Sequence, residues 1–124
     1  MGQETAILKQ RTKDFALRIL ALYRALPRTE EARIIGKQLL RSGTSIGANY
    51  RAACRGRSRA EFIAKLGIVL EEADETVFWL ELLHEGQFFP PEKLRNLTLE
   101  ANELVSIFVS SVRTAKSSLL QSDF

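Results

Sequence analysis

The sequence predicts an all-α fold, an antiparallel up-down-up-down four-helix bundle that forms a single domain over residues 1–124. Four long segments carry apolar residues at alternating spacings of three and four, the pattern of helices that bury one face. The 124 residues include only 3 prolines and 7 glycines, so few positions interrupt these segments. The connections between the segments are short, which favours antiparallel neighbours.

The first helix is predicted over residues 5–26. Its buried face reads Leu8, Thr12, Phe15, Ile19, Leu22 and Leu26. The helix should end before Pro27, because proline disfavours the helical conformation of the residue that precedes it. The outward face carries the cations Lys9, Arg11, Lys13, Arg18 and Arg24.

The second helix is predicted over residues 29–55, with Thr29 as its N-cap. Its buried face reads Ala32, Ile35, Leu39, Ser42, Ile46, Asn49 and Ala53. A structural polar core is expected from three residues on or beside this face: Ser42, Ser45 and Asn49. A buried asparagine must find hydrogen bonds for its amide, so we expect Asn49 to fix the register of the helices.

A second stripe of the same helix is rich in glycine, with Gly36, Gly43 and Gly47 on one flank. Glycine inside a helix costs roughly 1 kcal/mol relative to alanine, so three on one flank indicate close packing against another backbone. We expect Gly43 and Gly47 to lie at a subunit interface. The alternative is that one of these two glycines breaks the helix.

The third helix is predicted over residues 58–85, from a capping box between Ser58 and Glu61 to a stop at Gly86. Three large apolar residues fall outside its buried face: Ile68, Trp79 and Leu82. One buried face does not need this surface, so we expect it to contact another subunit or to lie under a loop.

The fourth helix is predicted over residues 91–117, with Pro91 in its first turn. The polar segment that begins at Ser117 is expected to fray, as chain ends commonly do. The short corner before Pro91 should return this helix antiparallel to the third.

Positive charge is concentrated in the first half of the chain. Residues 1–65 contain 14 Lys/Arg and 5 Asp/Glu, whereas residues 66–124 contain 4 and 10. The candidate binding residues follow the outer face of the second helix and the turn after it: Lys37, Arg41, Arg51, Arg55, Arg57 and Arg59. Arginines bind phosphates without regard to sequence, and no aromatic residues alternate with them, so the pattern favours contact with a nucleic-acid backbone. The alternative is that basic and acidic helices neutralise one another, within or between subunits.

No catalytic site, metal site or cofactor is predicted. Glu81 and His84 form the E-x-x-H motif of di-iron bundles, but His84 is the only histidine and such a centre needs two motifs. The number of histidines therefore excludes a di-iron centre within one chain and leaves open only a site shared between subunits. Cys54, the only cysteine, has arginines nearby but no evident base, so it is interpreted as a packed small residue.

The chain is expected to be cytoplasmic and to have no contact with a membrane. Its first residues lack the apolar segment of a signal peptide. No run of 18 apolar residues predicts a membrane-spanning helix.

The stretch SGTSIGANY from Ser42, followed by a basic turn and by EFIAKLGIVLEEADETVFWLELL, resembles the small four helix bundle protein family. That family includes proteins encoded in intervening sequences of bacterial 23S rRNA genes, and a related branch is the accessory protein of diversity-generating retroelements. The residues that carry the resemblance are Ser45, Ile46, Asn49, Gly56, Arg57 and Arg59. Where the family commonly has Ala-Glu-Gly after the asparagine, this chain has Tyr50 to Arg55, so no role of that glutamate transfers.

The basic residues and the family resemblance together predict a non-enzymatic homo-oligomer that binds RNA or DNA through phosphate contacts. The resemblance alone implies a pentamer, and it suggests a reverse transcriptase or another protein as a further partner. The alternative is a structural or scaffold bundle that binds protein and has no nucleic-acid role. Only the first function predicts an affinity for nucleic acid that falls steeply with salt.

Overall fold

Four helices make up nearly all of the chain that the structure, a computed structural model, describes over residues 2–122. They are α1 Gln3–Ala25, α2 Glu30–Cys54, α3 Arg59–Glu85 and α4 Pro91–Ser122. α2 packs on both α1 and α3, and α4 packs on α3, whereas α1 and α4 contact each other much less. Residues 2–122 contain no strand, so the predicted all-α bundle is confirmed, and α2 continues unbroken through Gly43 and Gly47.

Side chains at the starts of two helices bond the first turn as the sequence predicts. Thr29 Oγ1 accepts a hydrogen bond from the backbone nitrogen of Ala32 at 3.3 Å. Ser58 Oγ accepts one from the backbone nitrogen of Glu61 at 3.1 Å. Each bond satisfies an N–H group that has no partner within its helix, which fixes where α2 and α3 begin.

α3 ends at Glu85, and the left-handed residue that follows it is Gln87 rather than Gly86. Gly86 has an ordinary helical φ of −77°, and Gln87 adopts the left-handed conformation with a φ of 62°. The backbone nitrogen of Phe88 donates to the Leu83 oxygen at 3.1 Å, and that of Gln87 donates to the His84 oxygen at 3.1 Å. These are the hydrogen bonds of a Schellman motif, in which glycine is usual at the position that Gln87 occupies.

α4 continues beyond its predicted end at residue 117. It is the longest helix, with 32 residues, and its backbone is helical to Ser122. No glycine or proline follows Pro91, so no residue stops the helix where fraying was expected. In the described part of the chain, neither α4 nor another helix has an apolar stretch long enough to cross a membrane.

Close packing between α1 and α2 depends on the glycines of α2. A Cβ atom on Gly43 would lie 2.8 Å from Ile19 Cγ1, and one on Gly47 would lie 3.2 Å from Thr12 Oγ1. Both glycines are buried under α1 of the same chain. The expectation that Gly43 and Gly47 form a subunit interface is therefore wrong, because the close approach occurs within the chain.

The core is formed by the buried faces of all four helices. Its largest fully buried side chains include Phe15, Ile19, Leu39, Ile46, Leu66, Leu80, Leu83, Leu104 and Phe108. The ring of Tyr50 on α2 packs on that of Phe108 on α4, with centroids 5.6 Å apart. This aromatic contact joins two diagonally related helices across the core.

The buried polar contact between helices is made by Ser42 and not by Asn49. Ser42 Oγ and Thr76 Oγ1 of α3 are hydrogen-bonded at 2.9 Å, and both side chains are fully buried. Asn49 is half-buried, and its Nδ2 donates to the Ser45 backbone oxygen at 2.9 Å, while Ser45 Oγ donates to the Arg41 oxygen at 2.6 Å. The interpretation of Ser45 and Asn49 as polar core residues is therefore corrected, because both lie at the edge of the core and bond within α2.

One arginine joins α1 to α4. Arg11 Nε donates to Glu100 at 2.7 Å, and Arg11 Nη2 donates to Glu103 at 3.0 Å. The hydrogen bond from Arg11 holds the pKa of Glu100 below its usual range. Since few other contacts connect α1 and α4, this seam is the most open of the bundle.

Candidate nucleic-acid interface

All six cations predicted to bind nucleic acid are exposed, and five of them form no ion pair with another residue of the 2–122 range. Two lie on the outer face of α2, and three lie at or beside the turn between α2 and α3. In chain order they are Lys37, Arg51, Arg55, Arg57 and Arg59. Their charges are therefore available to a partner.

The sixth predicted cation, Arg41, differs because α3 neutralises it. Arg41 Nη1 lies 2.9 Å from Glu72, and Arg41 Nη2 lies 2.5 Å from Glu75. The hydrogen bond from Arg41 lowers the pKa of Glu75, and the same bond raises the pKa of Arg41. This intrachain pairing makes Arg41 a poor candidate for a phosphate contact.

The register of α1 against α2 shows which cations of α1 lie near those of α2. Thr12 lies against Gly47, and Tyr23 lies against Gly36. The N-terminal half of α1 therefore lies beside the C-terminal half of α2, as in an antiparallel pair.

This register brings further cations into the site. Lys9 and Lys13 lie at the same end of the helix pair as Arg51, and Arg24 lies at the same end as Lys37. Periodicity alone shows that the α1 cations are on an outer face, but only the register connects them to α2. Arg33, which is exposed on α2 one turn before Lys37, joins the set that we name the basic surface: Lys9, Lys13, Arg24, Arg33, Lys37, Arg51, Arg55, Arg57 and Arg59.

The outer face of α3 is apolar and acidic. Ile68 is 40% exposed and Leu82 is 37% exposed, and Phe78, which sequence reasoning did not single out, is 53% exposed. Trp79 is half-buried, with its ring against that of Phe78 at 4.9 Å and its Nε1 donating to Glu75 at 3.3 Å. The exposed carboxylates of α3 beyond its first turn are Glu71, Asp74, Glu81 and Glu85. This face, which we name the α3 face, is opposite in charge to the basic surface.

The groups considered for catalysis or metal binding are separate from one another. Cys54 is half-buried beside Tyr50. Burial raises the pKa of Tyr50 to about 12, and the hydrogen bond with Cys54 is the second cause of this rise. His84 is exposed in the last turn of α3. Within residues 2–122, no three His, Cys, Asp or Glu side chains are grouped so that they could hold a metal ion.

The helices and the charged surfaces define a class of protein, a small antiparallel four-helix bundle with a basic turn between its second and third helices. The chain belongs to the family described as 23S rRNA-intervening sequence protein, whose model matches residues 4–110. This match confirms the resemblance found in the sequence.

A solved structure is similar over nearly the whole fold. It is a protein of the S23 ribosomal protein family from Bacteroides thetaiotaomicron VPI-5482, with a TM-score of 0.82 and 39% sequence identity. The similarity covers 90% of this chain and 99% of that chain, and that protein is described as having unknown function. No curated protein matches the chain. Neither the family description nor that structure's description names an enzymatic activity.

Proposed function

We propose that this protein is a non-enzymatic homo-oligomer, a pentamer, whose basic surface binds RNA or DNA through phosphates in the cytoplasm. The proposal includes a nucleic-acid enzyme such as a reverse transcriptase as a further partner. The number five and the enzyme partner come from the family resemblance. The binding surface and its chemistry come from the arrangement of the side chains.

The observation that carries the proposal is the contrast between paired and unpaired arginines. Arg11 and Arg41 lie at helix seams, and each is neutralised by two glutamates of the same chain. Arg51 and Arg55 are exposed and have no ion-pair partner in the described range. Exposed cations at helical spacing suit a polyanion, because each phosphate contact releases a counterion on binding.

Self-association is supported by the α3 face. Ile68, Phe78 and Leu82 are exposed on one helix, and large apolar side chains grouped on one face are typical of protein interfaces. A repeated contact between different surfaces of neighbouring subunits closes into a ring when its rotation permits. A ring would also repeat the basic surface, which strengthens a weak contact through high effective concentration.

Salt-dependent binding tests the nucleic-acid function. We expect the Arg51→Gln/Arg55→Gln variant to bind single-stranded RNA and duplex DNA more weakly than the wild type does. The slope of log affinity against log salt should fall by about 1.4 for single strands and about 1.8 for duplex DNA, since each phosphate contact contributes about 0.7 or 0.9. Fluorescence anisotropy between about 50 mM and 200 mM salt measures this slope.

The matched control is Arg95→Gln/Arg113→Gln, which removes the same charge from exposed positions on α4. It should leave the slope nearly unchanged, and circular dichroism should show both variants folded. If the two double variants lose affinity equally, the effect reflects net charge and the basic surface is not the site.

Light scattering tests the assembly. The wild type should form a particle several times larger than the 14.0 kDa chain, and Phe78→Ser/Leu82→Ser should reduce its size. Leu17→Ser, at a residue that is 54% exposed on α1, is the control for loss of apolar surface elsewhere. A 14.0 kDa particle at micromolar concentration would refute the oligomer, and a different closed number would refute only the pentamer.

A scaffold function is the second candidate, and the α3 face favours it. If its carboxylates pair with Arg51 and Arg55 of a neighbouring subunit, the arginine double variant should lose assembly or thermal stability. The wild type should then show no affinity for nucleic acid at physiological salt. Both results together would replace the nucleic-acid function with the scaffold function.

A further inference from the structure

Two clefts meet at the end of the bundle where the basic turn lies. The larger, of about 590 Å³, lies between the start of α3 and the second half of α4, with Glu4 of α1 at its edge. The smaller, of about 390 Å³, lies between the end of α2 and the start of α3. Arg59 and Phe62 line both clefts, so the half-buried Phe62 side chain separates them. Both volumes are in the range of small-molecule binding sites.

The larger cleft combines an apolar floor with a row of hydroxyl groups. Phe62 and Ile107 supply apolar surface. Ser106, Ser110 and Thr114 line the same cleft at intervals of four residues, which places them about 6 Å apart along one side of α4. All three are exposed, and no side-chain hydrogen bond occupies them in the described part of the chain.

We infer that this end of the bundle binds an unpaired nucleotide of single-stranded RNA or DNA, with the base against Phe62. The inference rests on the proposed function, because it adds base contact to the phosphate contacts of the basic surface. Sequence reasoning found no aromatic residue among the arginines, since Phe62 and Arg59 become neighbours of the α4 hydroxyls only in the folded bundle. Stacking on an aromatic ring is the common way in which proteins hold single strands.

The charged side chains and two of the hydroxyl groups of the cleft have roles toward such a nucleotide. Arg59 binds its phosphate, and Arg57 in the adjoining turn binds the next one along the strand. Ser110 and Thr114 bond sugar or phosphate oxygens, as serine and threonine do in other complexes. Glu4, a carboxylate, repels phosphate and accepts hydrogen bonds from the N–H groups of the base. A duplex cannot use this cleft, because its bases are stacked and paired.

The test compares single-stranded and duplex oligonucleotides of equal length with the full-length protein. Phe62→Leu should weaken single-strand binding by about tenfold and leave duplex binding unchanged, because it removes the ring but keeps apolar volume. Phe62→Tyr keeps the ring and should retain single-strand affinity. A strand that contains 2-aminopurine should lose fluorescence on binding to the wild type, because stacking quenches this base, and that loss should be smaller with Phe62→Leu.

The outcomes separate this inference from the proposed function. If Phe62→Leu binds single strands as the wild type does, or if 2-aminopurine is not quenched by the wild type, the inference is overturned while the phosphate function stands. If Phe62→Leu matters but Arg51→Gln/Arg55→Gln does not, the cleft stands and the basic surface is wrong. Adenosine monophosphate that competes at the same concentration as the strand would assign the cleft to free nucleotides and overturn the single-strand inference. If the protein binds neither single strands nor duplexes, both the inference and the proposed function are overturned.

Discussion

Replacing Gly43 with alanine tests how closely α1 and α2 approach. A Cβ at this position would lie 2.8 Å from Ile19 Cγ1, 3.0 Å from its Cγ2 and 3.3 Å from its Cβ. Ile19 is fully buried, and branching at Cβ leaves its side chain little freedom to rotate away. The new methyl group must therefore displace α1 from α2.

Two opposing terms set the size of the effect. Alanine stabilises a helix interior by about 1 kcal/mol relative to glycine. An extra methyl group in a packed core costs about 1–3 kcal/mol. We therefore expect Gly43→Ala to lower the free energy of unfolding by up to about 2 kcal/mol.

Gly67→Ala on α3 is the matched control. No atom lies within 4 Å of the Cβ that it would add, so only the gain of about 1 kcal/mol should remain. Urea denaturation of both variants measures the difference, which should be about 1–3 kcal/mol. In the background Ile19→Ala, which removes both Cγ atoms, the cost of Gly43→Ala should shrink. Equal stabilisation by the two alanines would refute the packing of α1 on Gly43.

Two further perturbations test the ends and seams of the helices. Glu100→Gln should lower the free energy of unfolding by about 1 kcal/mol at pH 7. Because Arg11 lowers the native pKa of Glu100, this stabilisation is present above the unfolded pKa of about 4.3 and is lost as pH falls through the native pKa. Urea melts of variant and wild type should therefore converge in acid, and a constant difference would contradict the ion pair. Gln87→Gly should stabilise by about 1 kcal/mol in thermal melts, because Gln87 is left-handed, whereas Gln87→Ala should not; equal shifts would contradict that conformation.

The helices could be predicted because their signals are local. Thr29 and Ser58 cap the turns that follow them, and the buried faces repeat every three or four residues. The starts of α2 and α3 and the faces that they bury therefore depend on residues within one or two turns. At the end of α3 the left-handed residue is Gln87 and not Gly86, a detail that the position of the glycine in the sequence does not reveal.

The identity of each helix's neighbour could not be predicted in the same way. The glycine flank of α2 indicates a close approach, but spacing does not say whether the approaching backbone belongs to α1 or to another subunit. Asn49 shares the periodicity of the core, but it lies at the edge of the buried face, where its own helix satisfies its amide. The partners of Arg41 depend on how α2 and α3 are aligned, which is a property of the whole bundle.

The ion pairs at the two seams bear directly on the charge asymmetry of the chain. Each seam uses one arginine from the first half of the chain and two glutamates three residues apart from the second half: Arg11 with Glu100 and Glu103, and Arg41 with Glu72 and Glu75. This arrangement neutralises one cation at each seam and gives it two acceptors for its guanidinium fork.

The ion pairs at the seams do not remove the charge asymmetry of the chain, because they neutralise only Arg11 and Arg41. Apart from the half-buried Lys9, the basic surface stays exposed on α1, α2 and the turn, and the carboxylates of the α3 face stay exposed on the other side of α2. If neighbouring subunits joined these two surfaces, the arginines would be covered and polyanions excluded. If apolar contacts through Phe78 and Leu82 dominate instead, the ring leaves the arginines free. The effect of Arg51→Gln/Arg55→Gln on particle size therefore shows whether these arginines lie between subunits or stay open to a polyanion, before a nucleic acid is added.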